Sequence, residues 1–208
     1  MSTVLILNSS IPGEGSVSRR LVGETVEALR RQDPTIKVIN RDVGAVPVPH
    51  LNQASTAALR GGATATAEQI GALAFSDELV SELKAADTIV IGAPMYNFGI
   101  PSTLKTWFDY VLRAGVTFSY SEAGPKGLLS GKRAVVVLTR GGLYSEGPAQ
   151  VMDSQEPHLR TMLGFIGITN VTFVRAERLA MGDDAKLGSI AAARANIQGF
   201  AEERALAA

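Results

Sequence analysis

Short apolar runs alternate with amphipathic stretches along the whole chain, and that alternation predicts its architecture. Thr3–Asn8 reads Thr-Val-Leu-Ile-Leu-Asn, continuous and β-branched, as a strand covered on both faces requires. Similar short runs return at Val38–Arg41, Thr88–Ala93, Arg133–Thr139 and Val171–Arg175. Helices are expected between them. Over Ser18–Arg31, Val22, Val26 and Leu29 recur at i, i+4 and i+7. The later half of Asn52–Ala86 reads helical, as do Pro101–Arg113, with proline near its first turn, Pro157–Phe165 and the Ala-rich Asp184–Ala207. Small polar residues at Gly61–Thr66 break the 52–86 stretch in two. Pro47 and Pro49 make Val43–Pro49 a loop, and Val116–Tyr120 alternates as a short extended piece.

Five strand–helix alternations imply right-handed crossovers and a parallel sheet. The expected fold is an α/β three-layer sandwich: five parallel strands in the order 2-1-3-4-5 with helices on both faces. The chain has 208 residues, which suits a single domain spanning 1–208, and it contains no internal repeat, linker or low-complexity tract. Sheets of this order bind ligands beyond the carboxyl ends of strands 1, 3 and 4, around the point where the strand order reverses. The question of function therefore reduces to three loops.

The first loop, Ser9 to Ser18, runs into a helix N-terminus, where free N–H groups and the helix dipole favour an anion. Ser10, Ser16 and Ser18 add hydroxyl donors, a set that suits a terminal phosphate. Ser16 or Ser18 would serve equally as a plain N-cap. Gly13-Glu14-Gly15-Ser16-Val17-Ser18 also half-matches a dinucleotide fingerprint, with Asp42 at roughly the right distance, but serine stands where the third glycine belongs. The second loop, Pro94-Met95-Tyr96-Asn97-Phe98-Gly99, is apolar and aromatic and wants a flat partner, with Asn97 and the backbone free to bond its polar rim. The third, Thr139-Arg140-Gly141-Gly142, has paired glycines whose N–H groups can approach a ligand's carbonyls or ring nitrogens. A phosphate site, a flat-ring site and a polar-rim site together fit FMN.

Composition narrows the chemistry further. Net charge is zero by count, so no field argues for nucleic acid or for a charged protein partner. There is no cysteine, which removes disulfides, thiolate nucleophiles and iron–sulfur ligation. The two histidines, His50 and His158, sit in no recognisable motif, so no metal site is expected and no side chain is assigned as a catalytic acid or base. A bound cofactor would more naturally carry the chemistry. No apolar run approaches the roughly 20 residues that span a bilayer, and no leader pattern opens the chain, so a soluble cytoplasmic protein is expected.

Pro94-Met95-Tyr96-Asn97-Phe98-Gly99-Ile100-Pro101-Ser102-Thr103-Leu104-Lys105-Thr106-Trp107-Phe108-Asp109 is very similar to the signature of the FMN-dependent NADH-azoreductase and quinone-reductase family. The resemblance continues through Gly115–Tyr120, Gly124–Leu128 and the serine and glycine loops, and covers essentially the whole chain. It implies a flavodoxin-like fold with the FMN phosphate at Ser10, Ser16, Val17 and Ser18. It places the flavin ring against Met95, Tyr96, Asn97 and Phe98, and against Thr139, Arg140, Gly141 and Gly142; Pro94 belongs to the same cofactor loop. It further implies a homodimer that takes hydride from NADH or NADPH and reduces quinones or azo compounds by a two-electron ping-pong mechanism. The family often has serine where Thr139 stands, and the hydroxyl is kept. The segments Gly61–Thr66 and Leu143–Glu156 fall in its variable part. Phe98, Phe118 and Tyr120 are the candidate acceptor pocket. The helix carrying Trp107 and Phe108 is the candidate interface element, core packing being the alternative for Trp107. Two other functions stay open: a flavodoxin-type electron carrier, against which the neutral charge counts, and an NAD-binding Rossmann dehydrogenase with Asp42 on the ribose.

Overall fold

Two hydrophobic clusters on opposite faces of one sheet organise the structure, a computed structural model that describes residues 2–62 and 64–206, without the side chains of Glu14 and 203–206. Ala63, within the expected break, and Ala207, the last residue of the expected final helix, lie outside the described residues. The strands are β1 (Thr3–Asn8), β2 (Lys37–Asp42), β3 (Thr88–Pro94), β4 (Phe118–Ser121), β5 (Gly124–Gly127), β6 (Arg133–Thr139) and β7 (Asn170–Ala176). The helices are α1 (Val17–Gln32), α2 (Gln53–Leu59), α3 (Ala67–Ala85), α4 (Ser102–Val111), α5 (Glu156–Phe165) and α6 (Asp183–Leu206). The main sheet runs β2-β1-β3-β6-β7, parallel throughout. That is the expected 2-1-3-4-5 order with the β4–β5 hairpin set aside.

The period-2 side-chain alternation of strands explains the two clusters. Leu5, Leu7, Ile89, Ile91, Val136 and Leu138 face one side and pack with residues of α3, α4 and α5. Val4, Val90, Val135, Val137 and Val174 face the other and pack with α1 and α6. β3 lies at the centre and is buried along all seven residues, which is why its sequence is apolar without interruption.

The structure departs from the periodicity in three places. The 52–66 stretch is not merely a prelude to a helix: Asn52 and Ser55 form a capping box that starts α2, and Thr66 and Gln69 form a second that starts α3. The extended piece expected at Val116–Tyr120 becomes β4, and it has a partner, β5, paired antiparallel from Phe118↔Gly127 to Ser121↔Gly124. Gly-Pro-Lys-Gly reads as a turn by composition. The strand forms because tertiary contacts hold it, among them Leu129 N–H to Ile166 O (2.9 Å) at the end of α5. Finally, the Trp107 and Phe108 rings on the candidate interface helix turn inward, as the core-packing alternative for Trp107 had it. Both are at most 1% exposed and belong to the core of the chain itself. Adjacent positions on a helix point about 100° apart, and both rings are covered because α4 is buried on most of its surface.

Candidate active site

β1, β3 and β6 all end on the same edge, and the loops that follow them form the site. Beyond β1, the Ser9 hydroxyl and N–H both donate to Gly92 O (2.7 and 3.2 Å), which fixes the loop to β3. Ser16 is the N-cap of α1. Its Oγ accepts from Arg19 N (3.3 Å) and lies 3.0 Å from Ser18 Oγ. Ser10, Ser16 and Ser18 are all buried, and α1 carries no acidic residue in its first turn. The N–H groups of Val17 and Ser18 find no acceptor among the described residues. Free donors at a helix N-terminus, with hydroxyls beside them, make an anion site.

A cation that the motifs did not single out braces this loop. Arg19 Nη2 donates to Ser10 O (3.0 Å) and to Asp42 Oδ1 (2.8 Å), and Nη1 bonds Asp42 Oδ2. Asp42 Oδ1 also accepts from the N–H groups of Gly44 and Ala45 (3.0 Å each). Burial pushes the Asp42 carboxyl up, but Arg19 and these two donors outweigh it and hold it below its ordinary value. Both its oxygens are spent inside the protein, which takes away the ribose-binding acid a Rossmann dehydrogenase would need. The signal for Arg19 was present in the sequence. Two arginines, Arg19 and Arg20, open α1 at the end where the dipole disfavours cations, so something anionic had to be close.

The loop after β3 is a tight turn. Tyr96 and Gly99 exchange backbone bonds (3.0 and 3.1 Å), and Asn97 and Phe98 both take positive φ, +48° and +70°. Two adjacent residues with side chains in the left-handed region are strained, and such strain collects at ligand sites. The N–H groups of Asn97 and Phe98 have no acceptor among the described residues, while Tyr96, Asn97 and Phe98 are exposed. Pro94 is buried at the strand end, and Met95 N–H donates to Thr139 O (2.8 Å), joining this loop to the next. The Tyr96 hydroxyl accepts from Ile11 N–H (3.2 Å), joining it to the first.

After β6, Thr139 is buried and the N–H groups of Gly141 and Gly142 are free of acceptors among the described residues. Arg140 departs from its expected role. Its backbone N–H donates to Ala176 O (2.9 Å), and its side chain, wholly buried, is committed elsewhere. Nε donates to Gln155 Oε1 (2.9 Å), Nη1 to Glu177 Oε1 (3.0 Å) and Nη2 to Asp153 Oδ2 (2.9 Å). Gln155 passes the connection to Ala93 O (2.8 Å) at the end of β3. Three of the five guanidinium donors of Arg140 are thus committed inside the protein, and the residue locks the loops from beneath. Glu177 also accepts from Tyr144 N and Ser145 N (2.8 and 3.0 Å) and from the Ser145 hydroxyl. Burial pushes its carboxyl up, and these donors together with Arg140 hold it below the ordinary value. Neither Arg19 nor the Arg140 network was assigned from sequence, because their partners lie far along the chain.

The three aromatics expected in one acceptor pocket fall into two groups within a single chain. Phe98 stands edge-on to Tyr144 (6.1 Å between centroids). Phe118 packs on Tyr120 (5.4 Å) and Phe165 (4.6 Å), and these three, with Leu59, Arg60 and Asp109, line a cavity of about 440 Å³. Phe118 is buried and Tyr120 is 72% exposed, so only the latter presents a whole ring face outward.

Comparison with known proteins agrees with this geometry. The family described as Flavodoxin-like fold matches residues 2–200. An FMN-dependent NADH:quinone oxidoreductase of Hyphomonas neptunium is 54% identical over 202 residues, 97% of each chain. An azoreductase of Bacillus anthracis superposes with a TM-score of 0.88 at 30% identity, over 98% of this chain and 100% of that one. An FMN-dependent NADH-azoreductase of Bacillus anthracis, solved in complex with FMN, gives 0.88 at 27% identity over 99% and 100%.

Proposed function

The chain belongs to the flavodoxin-like family of FMN-dependent NADH:quinone oxidoreductases, and we propose that its three loops hold FMN and present one open face to donor and acceptor in turn. It is an FMN-dependent oxidoreductase that uses NADH and reduces quinones and azo compounds. The flavin-carrier and Rossmann alternatives fall away. The observation that carries the cofactor assignment is the set of N–H groups with no acceptor among the described residues, at Val17 and Ser18, Asn97 and Phe98, and Gly141 and Gly142, all on one sheet edge.

The residues present fit the group. A phosphate would take the α1 N-terminus and the hydroxyls of Ser10 and Ser16, with Ser18 supporting Ser16 from behind. A flat ring system would lie against Met95, Tyr96, Asn97 and Phe98. Its polar rim would meet the N–H groups of the strained turn and of Gly141 and Gly142, with Thr139 and Pro94 shaping the floor. Arg140 serves the same site indirectly, through the loops it locks. FMN, when bound, supplies two-electron redox chemistry between NADH and the acceptor. The chain contributes position, fixed dipoles and a dry apolar surface, and no side chain is required to move a proton. A single face used successively implies ping-pong kinetics, with NADPH as a second possible donor.

The same proposal includes a homodimer with the acceptor slot at the seam, quinone or azo compound resting between the Phe98 loop of one subunit and an exposed aromatic such as Tyr120. An exposed ring beside an open cavity, together with exposed Val151 and Met152 near the Phe98 loop, is apolar surface that monomers rarely leave uncovered. A cytoplasmic location goes with NADH as donor. Steady-state kinetics at several fixed acceptor concentrations, run beside light scattering, test this. Parallel double-reciprocal lines and a mass of about twice 21.9 kDa are expected. Intersecting lines, or a fully active monomer, would overturn the shared-face and seam parts respectively.

A further inference from the structure

The loop after β6 carries one aromatic side chain that the cofactor assignment does not use. The Tyr144 ring lies directly on the backbone of Gly142, where an added Cβ would meet its Cε2, Cζ and Oη at 3.1, 3.2 and 3.2 Å. It also stands edge-on to Phe98, at 79° between planes. The Tyr144–Phe98 pair therefore bridges the two loops that carry the free ring-binding N–H groups.

The pair is held from behind. Tyr144 N and Ser145 N both donate to Glu177 Oε1, and the Ser145 hydroxyl closes on the other oxygen. Arg140 anchors Glu177 from within the core (3.0 Å). The backbone under the tyrosine is thus fixed at adjacent positions, leaving mainly the side-chain torsions free. The ring also borders a cavity of about 580 Å³ whose wall carries Glu146, Asp153, Glu156, Arg160 and Arg175. Tyr144 thus belongs both to the pair that joins the cofactor loops and to the wall of that space. A one-ring acceptor can be held by the loops alone. A two-ring acceptor carries a second ring that can extend from the loops onto the Tyr144–Phe98 pair.

Resting on the function proposed above, we propose that Tyr144 is a specificity-determining residue: with Phe98 it forms an aromatic wall on which an elongated two-ring acceptor lays its distal ring, and Glu177 is its positioning residue. Edge-to-face or stacked aromatic contacts of this kind change an equilibrium by roughly three- to tenfold.

The experiment uses the FMN-loaded protein and its Tyr144→Ala, Tyr144→Phe and Glu177→Gln variants, with a two-ring azo dye and a one-ring benzoquinone as acceptors. Azo-dye affinity for the oxidised holoprotein is measured by flavin fluorescence with no donor present, and kcat and KM are measured for both acceptors. Tyr144→Ala should weaken dye binding and raise the dye KM about three- to tenfold, leaving benzoquinone kinetics and the FMN Kd within about twofold. Tyr144→Phe should restore the wild-type profile. Glu177→Gln should shift the dye KM in the same direction by less, since the N–H donors retain an acceptor. Equal losses for both acceptors, an unchanged dye affinity in Tyr144→Ala, or a Tyr144→Phe variant as impaired as Tyr144→Ala would each overturn the inference alone, provided the wild type turns over. A wild type inert to both acceptors would overturn the function proposed for the site as well.

Discussion

Replacing Gly44 by alanine tests how tightly the phosphate loop is set. Gly44 lies two residues past the end of β2, and nothing about it in the sequence marks it as part of a site. A Cβ there would sit 2.4 Å from Ser10 O, 2.9 Å from Ser10 C and 3.1 Å from Ser9 C. All three are backbone atoms, so no side chain can swing away. Real Cβ contacts essentially never fall below 3.0 Å, so the two loops must separate by at least about 0.6 Å. The groups that would have to give are those that shape the loop. Ser10 O accepts from Arg19 Nη2 at 3.0 Å, and Gly44 N donates to Asp42 Oδ1 at 3.0 Å and to Asn8 O at 3.2 Å. Displacements of that size take such bonds out of range. Overpacking of this kind costs about 1–3 kcal/mol of stability. Because the strain sits on the serine loop, about 1–2 kcal/mol should also appear in FMN binding, a weakening of roughly five- to thirtyfold. The assay titrates apo-protein with FMN and with riboflavin and follows flavin fluorescence. Gly44→Ala should narrow the preference for FMN over riboflavin, since only the phosphate contacts are displaced. Gly23→Ala, in open space on α1, is the control and should leave both affinities unchanged. If both flavins weaken equally, or neither does, the loop coupling is wrong.

Ser16→Ala removes the N-cap of α1 and a phosphate donor together, so it should lower FMN affinity by about 1–3 kcal/mol in titration, more than Ser18→Ala, whose hydroxyl is reached through Ser16. Arg140→Met leaves Asp153 and Glu177 without their hydrogen-bonded cation, with only Arg175 still near both, and should cost about 3–5 kcal/mol, read as a fall in Tm of roughly 10 °C; Arg140→Lys should recover part of it, and an unchanged Tm would remove the lock. The carboxyls of Asp42, Glu156 and Glu177 are all held below their ordinary values in the folded chain. Their contribution to stability is thus fully present above the unfolded carboxylate range and is lost as pH falls through the lower, folded values. Denaturant midpoints should be level from neutral pH to about 5 and fall steeply below about 4, less steeply in Glu177→Gln.

Sequence alone determined the sheet, its order and the loops that matter. Short β-branched apolar runs such as Thr88–Ala93, set between helical stretches, read as buried parallel strands, and the helices between them favour right-handed crossovers. The N-terminus of α1, the serines before it and the paired glycines after β6 are local features, so they were legible from local spacing. Tertiary structure decided everything that depends on a partner distant in the chain. Arg140 looks like a loop residue beside two glycines until Asp153, Gln155 and Glu177 close around it. Asp42 looks like a ribose ligand until Arg19 takes both its oxygens. β5 forms because β4 pairs with it, against the turn composition of its own residues. Trp107 and Phe108 turn inward because α4 is packed on most of its surface. Phe98 and Phe118 are both aromatic and twenty residues apart, yet the helix and hairpin between them send one to Tyr144 and the other to Phe165. Periodicity fixes which face of an element a residue occupies. Burial, charge pairing and close backbone approach depend on what the fold brings opposite that face.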